Sequence, residues 1–384
     1  MSKGVTRMFT RRAWLGAAAS VAAAAQSPNS EITFGVIATG GRGRYLQERF
    51  QRLGARCVAL CDVYSPNLDK AAALSPEARR YTNYRELLGQ KMDCVVIASP
   101  DHQHWPMLEA ALAAKKDVYL EKPLSKSLDE SRIMIHAVRA SKQVVQVGMQ
   151  RRSAPALIEA KRLMDGGLLG QVTLAKPQWH WNIAKELNNT PLPGELDWRA
   201  FLGNAPVREL EPMRFRSWRY FFDYAGGNMT DQGTHLMDVT QWFTGQSAPL
   251  AAQASGYVAK MKGSEHPDVF SAIFEFPKML VTWTLDYANS YQNGWSITFL
   301  GDEATMILDD SGYAVYKEPW KRDAAPVKQA QAPVPIEPHI QNFFDCIKTR
   351  QDPNCTVEIA AAAVAGPHMA NLALFSGNKF TRQM

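Results

Sequence analysis

The chain has few cysteines, and their spacing suggests no metal site. Among 384 residues there are five, and no two have the C-x-x-C spacing of a zinc ligand set. Cys57 and Cys61 fall on one predicted strand, where the strand rise separates them by roughly 13 Å, too far for a disulfide. Spacing leaves a bridge between Cys346 and Cys355 open without establishing it. We therefore expect no metal site.

The chain also lacks long runs of lysine and arginine. It carries 43 Lys and Arg against 37 Asp and Glu, a formal net charge of +6. Four of the bases, Lys3, Arg7, Arg11 and Arg12, stand in the first 25 residues, where no acid offsets them. Without that segment the count is 39 against 37, which is close to neutral. A near-neutral body argues against nucleic acid or a membrane surface as the main partner.

An apolar stretch at residues 13–25 is too short to span a bilayer, so we expect no membrane anchor. It follows basic residues and ends in three alanines, a small-residue cleavage site, so residues 1–30 have the features of a signal peptide. The pair Arg11-Arg12, followed by an aromatic residue and a leucine, resembles a twin-arginine signal and implies export to the periplasm. The alternative is a basic, frayed terminus with a chance arginine pair.

After residue 30, short apolar runs alternate with amphipathic stretches. The apolar runs, rich in β-branched residues, fall at 32–37, 57–61, 94–98, 118–120 and 144–147. The amphipathic stretches between them include 44–53, 104–115 and 128–141. Continuous apolar strands separated by helices are typical of a parallel sheet that is buried on both faces. We therefore predict an α/β fold in which residues 31–150 form a doubly wound Rossmann domain.

The pattern changes after residue 150. A predicted helix near 155–165 is followed by strands of alternating apolar and polar residues at 172–181, 269–276, 280–286, 295–300 and 305–308. This alternation is typical of an open, mostly antiparallel sheet with one exposed face. We predict a second domain over 151–338, with a loop-rich insertion at 182–222. Two helices within 339–384 would close the fold.

The end of the first strand carries a glycine-rich turn. Residues 38–43 read Ala-Thr-Gly-Gly-Arg-Gly, with alanine in place of the first glycine of a dinucleotide-binding fingerprint. Gly40 would let the backbone approach a pyrophosphate, and Gly43 would let the helix pack close to the strand. The start of the helix, at Gly41 and Arg42, would bind the phosphates.

An acidic residue follows the turn at the distance that a dinucleotide site requires. Asp62 ends the second predicted strand about 20 residues on. Its carboxylate would accept hydrogen bonds from the adenosine ribose and repel a 2′-phosphate, so NAD is preferred to NADP. Ser99, Pro100 and His104 follow the next long strand, whose carboxyl end should also face the cofactor. We expect His102 to be a solvated loop residue.

Two distant segments supply a lysine, an aspartate and a histidine. Glu121-Lys122-Pro123 ends another strand, and Asp231 and His235 lie four apart in a predicted helix. That spacing puts both on one helix face, where the carboxylate could orient the imidazole as a base. Each segment alone also fits a structural role, as a surface lysine, a capping aspartate and a hydrogen-bonded histidine.

Together these motifs resemble the Gfo/Idh/MocA family, whose members include glucose–fructose oxidoreductase and inositol dehydrogenase. The likeness runs from residue 31 to the C-terminus and includes the glycine turn, Asp62, the Glu121-Lys122-Pro123 signature, residues 147–152 and the Asp231/His235 pair. The family fold is a Rossmann domain plus an open antiparallel sheet that often mediates oligomer contacts, which implies a homo-oligomer. The resemblance implies that Lys122, His235 and Asp231 are catalytic and that Glu121, Lys122 and Gln150 contact the cofactor.

The reaction that the resemblance implies is hydride transfer between a carbohydrate CH–OH carbon and NAD. His235 would take the hydroxyl proton, and Lys122 would stabilise the developing alkoxide. Substrate contacts are expected among aromatic and cationic residues, namely Arg152, Trp179, His180, Trp181, Arg216, Arg219 and Tyr224. Two other functions stay open: a redox-neutral, NAD-dependent glycosidase, which export favours because free NAD is scarce outside the cytoplasm, and a non-catalytic sugar-binding protein.

Overall fold

Two β-sheets organise the part of the chain that the structure, a computed structural model, describes, residues 31–382. Both sheets belong to one compact unit that begins at Glu31. The predicted signal peptide at residues 1–30 lies outside the described residues.

The first sheet has six strands, and every pairing in it is parallel. The strands are β1 (Thr33–Ile37), β2 (Arg56–Cys61), β3 (Arg79–Tyr81), β4 (Cys94–Ile97), β5 (Asp117–Leu120) and β6 (Val145–Val147). Their order is β3-β2-β1-β4-β5-β6, so the connection reverses direction between β1 and β4. Ligands of such sheets bind at the carboxyl ends of the strands beside this reversal. The predicted Rossmann fold is confirmed.

Helices cover both faces of the six-stranded sheet. They are α1 (Gly41–Arg52), α2 (Ser65–Leu74), α3 (Tyr84–Leu88), α4 (His104–Ala113) and α5 (Leu128–Ala140). Val95 and Val96 of β4 belong to core clusters on opposite faces, and neither has exposed surface. On one face Phe50 of α1 packs 5.0 Å from Phe34, measured between ring centroids. Burial on both sides explains why these strands read as continuous apolar runs.

The second sheet has nine strands and is mostly antiparallel, as predicted. The strands are β7 (Val172–His180), β8 (Ala251–Tyr257), β9 (Val269–Phe276), β10 (Met279–Asp286), β11 (Gly294–Gly301), β12 (Ala304–Asp309), β13 (Gly312–Lys317), β14 (Lys328–Gln331) and β15 (Phe380–Thr381). Their order is β14-β13-β12-β11-β7-β10-β9-β8-β15. The exception to the antiparallel pattern is β7, which pairs parallel to β10.

Helices pack on one face of the nine-stranded sheet and leave the other open. The helices that contact this sheet are α6 (Pro155–Asp165), α9 (Gly227–Thr244) and α11 (Val357–Ser376). The helices α7 (Trp198–Leu202), α8 (Pro212–Arg216) and α10 (Glu337–Thr349) lie elsewhere. Phe243 of α9 stacks on Phe299 of β11, with 5.5 Å between ring centroids. On the open face, Leu280 keeps 46% of its surface exposed.

The two closing helices pack in different places. Helix α10 lies on the Rossmann sheet, where Phe344 packs 5.1 Å from Phe50 and Phe343 packs 5.8 Å from Tyr119. Helix α11 packs against α9, β8 and α5. By length and composition α11 could cross a membrane, but 67% of its most apolar window is buried inside the protein. It is packed as a core helix.

The structure also describes the cysteines and the insertion. All five cysteines are free and buried, so Cys346 and Cys355 are not bridged. The insertion at 182–222 contains α7 and α8, and its Phe201 and Phe221 form a small aromatic core with Tyr224, which lies just after the insertion. This core fixes the insertion against the Rossmann half, because Phe201 and Tyr224 also pack on the ring of His102.

Candidate active site

A tight turn joins β1 to α1 at the carboxyl edge of the Rossmann sheet. Ala38, which stands where the first fingerprint glycine would be, has a backbone φ of 67°, in the left-handed region that favours glycine. A Cβ on Gly43 would lie 2.1 Å from the Ala38 carbonyl oxygen, so only glycine fits there. Gly40 caps α1 without a side-chain hydrogen bond, and nothing lies within 4 Å of a Cβ built on Gly41. The first-turn amides of α1 are therefore accessible to an anion.

Asp62 ends β2 and stabilises this turn. Its Oδ2 accepts hydrogen bonds from the amide (2.7 Å) and the hydroxyl (3.2 Å) of Thr39, and its Oδ1 accepts one from the amide of Tyr64 (2.9 Å). Burial raises the pKa of Asp62 to about 6, and these hydrogen bonds limit the rise. Asp62 also lines a cavity, and a ligand in that cavity would reach the carboxylate for the predicted ribose contact.

A cavity of about 450 Å³, which we call the Asp62 cavity, opens beside this carboxylate. Ala38, Ser99 and Pro100 border it, as the sequence predicts for the last two. The insertion supplies a further wall, made by Asp197, Ala200, Phe201, Gly203 and Asn204. Sequence reasoning missed these five residues, because a loop with one short helix carries no motif that says which sheet edge it covers.

The two histidines after β4 are structural, which corrects both predictions for them. His104 is fully buried, with Nδ1 2.7 Å from the Pro123 carbonyl and Nε2 3.0 Å from the Ser99 carbonyl. It has no ring nitrogen left for the cofactor and instead fixes the two loops that carry site residues. His102 is buried rather than solvated, and its Nε2 lies 2.9 Å from the Phe201 carbonyl. Burial lowers the pKa of His102 to about 4.

A second cavity, of about 200 Å³, brings the three predicted catalytic residues together. Lys122 enters from the end of β5, and Asp231 and His235 enter from successive turns of α9. Further lining comes from Arg42, Ala98, Ser99, Glu121 and Gln150. We call this space the Lys–His cavity. It lies at the carboxyl ends of β4, β5 and β6, where ligands of Rossmann sheets bind.

Asp231 orients the lysine of this cavity. Lys122 Nζ donates to Asp231 Oδ1 at 2.5 Å and to the Asp231 carbonyl oxygen at 3.0 Å, and both side chains are 13% exposed. Arg219 Nε lies 3.5 Å from Asp231 Oδ2. Burial favours the protonated form of Asp231, but the charges of Lys122 and Arg219 override it and hold the pKa at about 2. Asp231 is therefore a fixed anion between two cations.

His235 has a different environment from the one predicted. Among the described residues no hydrogen bond joins the Asp231 carboxylate to the His235 ring, so an aspartate–lysine pair replaces the expected aspartate–histidine pair. Burial and the positive charges of Arg151, Lys122 and Arg42 lower the pKa of the ring well below its usual value. The imidazole is therefore neutral near pH 7 and can accept a proton.

Glu121 and Gln150 complete the cofactor side of the cavity. Arg42 Nε donates to Glu121 Oε1 at 2.7 Å, and the Lys122 amide donates to Glu121 Oε2 at 3.2 Å. A Cβ on Gly148 would lie 2.9 Å from Glu121 Oε1, so glycine at 148 leaves space for this carboxylate. The Oε1 atom of Gln150 is buried and has no partner within the described chain. That amide is thus available to a ligand.

Two of the predicted substrate contacts lie near the Lys–His cavity without lining it. Trp179 is buried, and its ring centroid is 6.4 Å from that of His235. Trp181 is half-buried and packs edge-on against Trp179 at 5.2 Å. Arg151 lies over both Trp179 and Trp295, with its guanidinium carbon 4.1 Å from the Trp295 centroid. These aromatic residues form the wall behind the base rather than its substrate surface.

Four other predicted substrate contacts are corrected by the structure. Tyr224 has no exposed surface, because it lies in the aromatic core of the insertion. Arg216 donates to the carbonyls of Thr190 and Pro191 and so fixes the insertion loop. Arg152 pairs with the buried carboxylate of Asp238 at 2.6 Å. His180 Nδ1 lies 2.9 Å from the Tyr291 carbonyl, away from both cavities.

Arg219 is the predicted contact that does line the Lys–His cavity, together with Trp218, which the sequence analysis missed. Asp101 was missed as well. Asp101 is only 2% exposed, and burial together with the negative charge of Asp231 raises the pKa of its carboxyl group to about 8. Asp101 stands in the Ser-Pro-Asp-His run directly after β4, and this position at a strand end is the sequence signal that points to it.

The residues present fit a nicotinamide dinucleotide. Ser99 lines both cavities, so the two spaces adjoin along the carboxyl edge of the sheet. Ser99 Oγ, like Gln150 Oε1, is buried with no hydrogen-bond partner in residues 31–382. An elongated ligand with its adenosine beside Asp62, its pyrophosphate at the start of α1 and its nicotinamide beside Lys122 would meet each of these groups.

Fold and site together define a Rossmann-type dinucleotide-binding protein in which a lysine, an aspartate and a histidine meet at the cofactor edge. The chain belongs to the Gfo/Idh/MocA oxidoreductase family. Residues 32–149 match its NAD-binding Rossmann fold, and residues 157–379 match its C-terminal α/β domain. Residues 32–149 therefore form an NAD-binding domain.

Relatives with curated sequences include dehydrogenases. The chain is 33% identical to inositol 2-dehydrogenase of Rubrobacter xylanophilus over 190 residues, which is 49% of this chain and 52% of that enzyme. It is 32% identical to the uncharacterised oxidoreductase YrbE of Bacillus subtilis over 289 residues, 74% of this chain and 69% of that protein. The chain thus spans about half the length of the first of these relatives.

Solved structures share the fold over nearly the whole chain. Levoglucosan dehydrogenase, in complex with NADH and levoglucosan, superposes with a TM-score of 0.73, covering 92% of this chain and 100% of that one. Its sequence is 16% identical, so the likeness concerns the fold alone.

Proposed function

We propose that this protein is an NAD-dependent oxidoreductase that transfers a hydride between a CH–OH carbon of a sugar or polyol and nicotinamide. The observation that carries the proposal is the presence of Lys122 and His235 in one cavity at the cofactor edge of an NAD-binding sheet. Inositol 2-dehydrogenase among the relatives and levoglucosan dehydrogenase among the structural neighbours support the substrate class.

The side chains of the Lys–His cavity divide the proton chemistry between them. NAD, when bound, supplies the acceptor for the hydride. The ammonium group of Lys122 would donate a hydrogen bond to the reacting hydroxyl and stabilise negative charge as it develops on that oxygen. A ring nitrogen of His235 would accept the hydroxyl proton, since the ring is neutral near pH 7. Asp231 holds the Lys122 side chain in place through the 2.5 Å contact.

Turnover of the purified protein tests this assignment. The protein is incubated with NAD and a panel of polyols and sugars, and reduced nicotinamide is followed by absorbance. We expect Lys122→Met and His235→Asn each to lower kcat/KM about 100-fold or more, because each removes a group that acts on the transition state. Matched controls are Lys91→Met and His136→Asn, since both residues are exposed and outside the cavity. Equal loss in the control variants would contradict the assignment.

A redox-neutral glycosidase is the outcome that would replace net oxidation. Chromogenic glycosides are supplied to the purified protein without added NAD. Aglycone release that requires Lys122 and His235, without accumulation of reduced nicotinamide, would assign that activity. Tight ligand binding with neither reaction would assign a sugar-binding protein instead.

We also propose that the open face of the nine-stranded sheet joins copies of the chain. Leu280 and Ile273 on this face are 46% and 42% exposed, and they lie on neighbouring strands, because β9 and β10 pair antiparallel, so the face presents adjacent apolar side chains. Light scattering after size-exclusion chromatography should give a dimer or tetramer for the natural protein and a monomer for Leu280→Lys with Ile273→Lys. A monomeric natural protein would refute the proposal.

We propose that residues 1–30 direct export by the twin-arginine route to the periplasm. Arg11-Arg12 followed by the apolar stretch at 13–25 supports this. Replacement of Arg11 and Arg12 by lysine should leave the full-length precursor in the cytoplasmic fraction. Unchanged periplasmic recovery of a shortened protein would contradict this route.

A further inference from the structure

The guanidinium group of Arg219 lies in the Lys–His cavity with most of its donors unused. The residue belongs to a short 3-10 turn, Trp218–Tyr220, between α8 and α9. Its guanidinium carbon lies 4.2 Å from the centroid of the Trp218 ring, so the indole supports the flat face of the group. One edge, at Nε, faces Asp231 at 3.5 Å.

The other edge of Arg219 is free. No hydrogen bond in the described chain uses Nη1 or Nη2 of Arg219, and its side chain is 40% exposed, at the cavity wall. Two parallel N–H donors on a stacked guanidinium match the two oxygens of a carboxylate. Lysine at this position could not present such a fork, since an ammonium group is a point charge.

The charges that line the cavity leave an excess of positive charge at this end. Arg42 pairs with Glu121, and Lys122 pairs with Asp231 at 2.5 Å. Asp231 is therefore already compensated by the closer lysine when Arg219 approaches it at 3.5 Å. Among the lining residues, Arg219 is the cation whose charge is least neutralised.

Two nearby ionisable groups, His235 and Asp101, are both mostly uncharged near pH 7 and so leave this excess unchanged. Burial, together with the charges of the surrounding cations, lowers the pKa of His235, so its ring is neutral. Burial raises the pKa of Asp101 to about 8, so its carboxyl group is mostly protonated. An anionic group of a ligand would thus enter a cavity of net positive charge.

We propose that the substrate carries a carboxylate, so that the site takes acidic sugars or polyol acids, and that Arg219 binds this carboxylate through Nη1 and Nη2. Trp218 holds the guanidinium plane in place, and Lys122 and His235 remain free to act on a neighbouring hydroxyl group. This proposal rests on the proposed oxidoreductase function for the chemistry, but the recognition of the acid is a property of the cavity and does not need turnover.

Binding to the NADH-loaded protein separates the two proposals. D-glucuronate and D-glucose, D-galacturonate and D-galactose, and D-gluconate and D-glucitol are matched pairs in which a carboxylate replaces a neutral end group. We expect at least one acid to bind about 10- to 100-fold more tightly than its neutral partner, the range of a charge-assisted bidentate contact. Where turnover is seen, the ratio of kcat/KM values should favour the same acid.

Substitution of Arg219 tests whether this residue is responsible for the preference for acids. Arg219→Gln should reduce the acid-to-neutral ratio at least tenfold, and Arg219→Lys should restore only part of it. Arg322→Gln is the matched control, because it removes an exposed positive charge outside the cavity and should leave the ratio unchanged. NADH affinity is measured in each variant, since a loss there would assign Arg219 to the cofactor and overturn the proposal.

The remaining outcomes each decide one question. If every acid binds no better than its neutral partner, recognition of a carboxylate is wrong, whether or not neutral sugars are oxidised. If acids bind in an Arg219-dependent way but no substrate in the panel is oxidised, the oxidoreductase function fails while the carboxylate site stands.

Discussion

The ion pair between Lys122 and Asp231 should make a large and pH-dependent contribution to stability. Asp231→Asn keeps the shape of the side chain and removes its charge, leaving Lys122 and Arg219 without an anion. The pKa of Asp231 is held at about 2 against an ordinary 3.8, and each pKa unit corresponds to about 1.4 kcal/mol. The substitution should therefore lower the free energy of unfolding by about 2 kcal/mol at pH 7.

The sign of the pH dependence follows from the direction of the shift. Because the folded-state pKa of Asp231 is depressed, its contribution is fully present above pH 3.8 and is lost as the pH falls towards 2. At pH 3 the natural protein should keep about half of the advantage over Asp231→Asn that it has at pH 7. Urea unfolding of both proteins at the two pH values gives this difference directly.

A surface pair supplies the control. Arg80 and Asp69 are separated by 2.9 Å, but their side chains are 53% and 68% exposed. Asp69→Asn should cost less than about 1 kcal/mol, because water screens such pairs. A cost of Asp231→Asn no larger than that of Asp69→Asn, or the same at pH 3 as at pH 7, would show that the Lys122–Asp231 pair does not stabilise the fold in this way. A double-mutant cycle with Lys122→Gln should return a coupling of about 2 kcal/mol.

Other expected outcomes concern the turn, the cofactor and the base. Ala38→Gly should raise the free energy of unfolding by about 1 kcal/mol in urea unfolding, because it relieves the positive φ. Gly43→Ala should abolish NADH binding in a fluorescence titration, because its Cβ would meet the Ala38 carbonyl. NADH affinity should be constant above pH 7 and fall as the pH drops through about 6, where Asp62 is protonated, and Asp62→Asn should flatten this profile. Because the pKa of His235 is depressed, the acidic limb of kcat/KM for oxidation should lie at a lower pH than that of an ordinary histidine; a limb at the ordinary histidine value would contradict its neutral assignment.

The sequence predicted the strands best where a strand is buried on both of its faces. Strands such as β4 and β5 are covered on both faces, so their continuous apolar runs predicted a parallel sheet. Strand β3 was missed because its Arg79-Arg80-Tyr81 sequence lies at the edge of the sheet and is largely exposed. Strand β14, with the sequence Lys-Gln-Ala-Gln, was missed for the same reason. Edge strands need few apolar residues, so hydrophobic pattern does not reveal them.

In the candidate site, the positions of residues were easier to predict than the contacts between their side chains. Residues on short motifs next to strand ends, such as Gly43, Asp62 and Lys122, lie where the sequence predicted. Pairing between side chains was harder to predict. The four-residue spacing of Asp231 and His235 correctly put them on one face of α9, but it could not show that Lys122, 109 residues away in the chain, approaches closer to the carboxylate. Contacts made by the insertion, including the wall of the Asp62 cavity, depend on tertiary packing that no local pattern records.

The path of the C-terminal chain limits how this protein can be truncated or recombined with its relatives. Helix α10 follows the second sheet in the chain, yet Phe343 and Phe344 cover Phe50 and Tyr119 on the Rossmann sheet. A fragment ending near residue 150 would bare these aromatic rings to water, so it would aggregate rather than act as a free-standing nucleotide binder. Recombination that swaps the cofactor half between relatives must therefore bring along a piece from the far end of the gene.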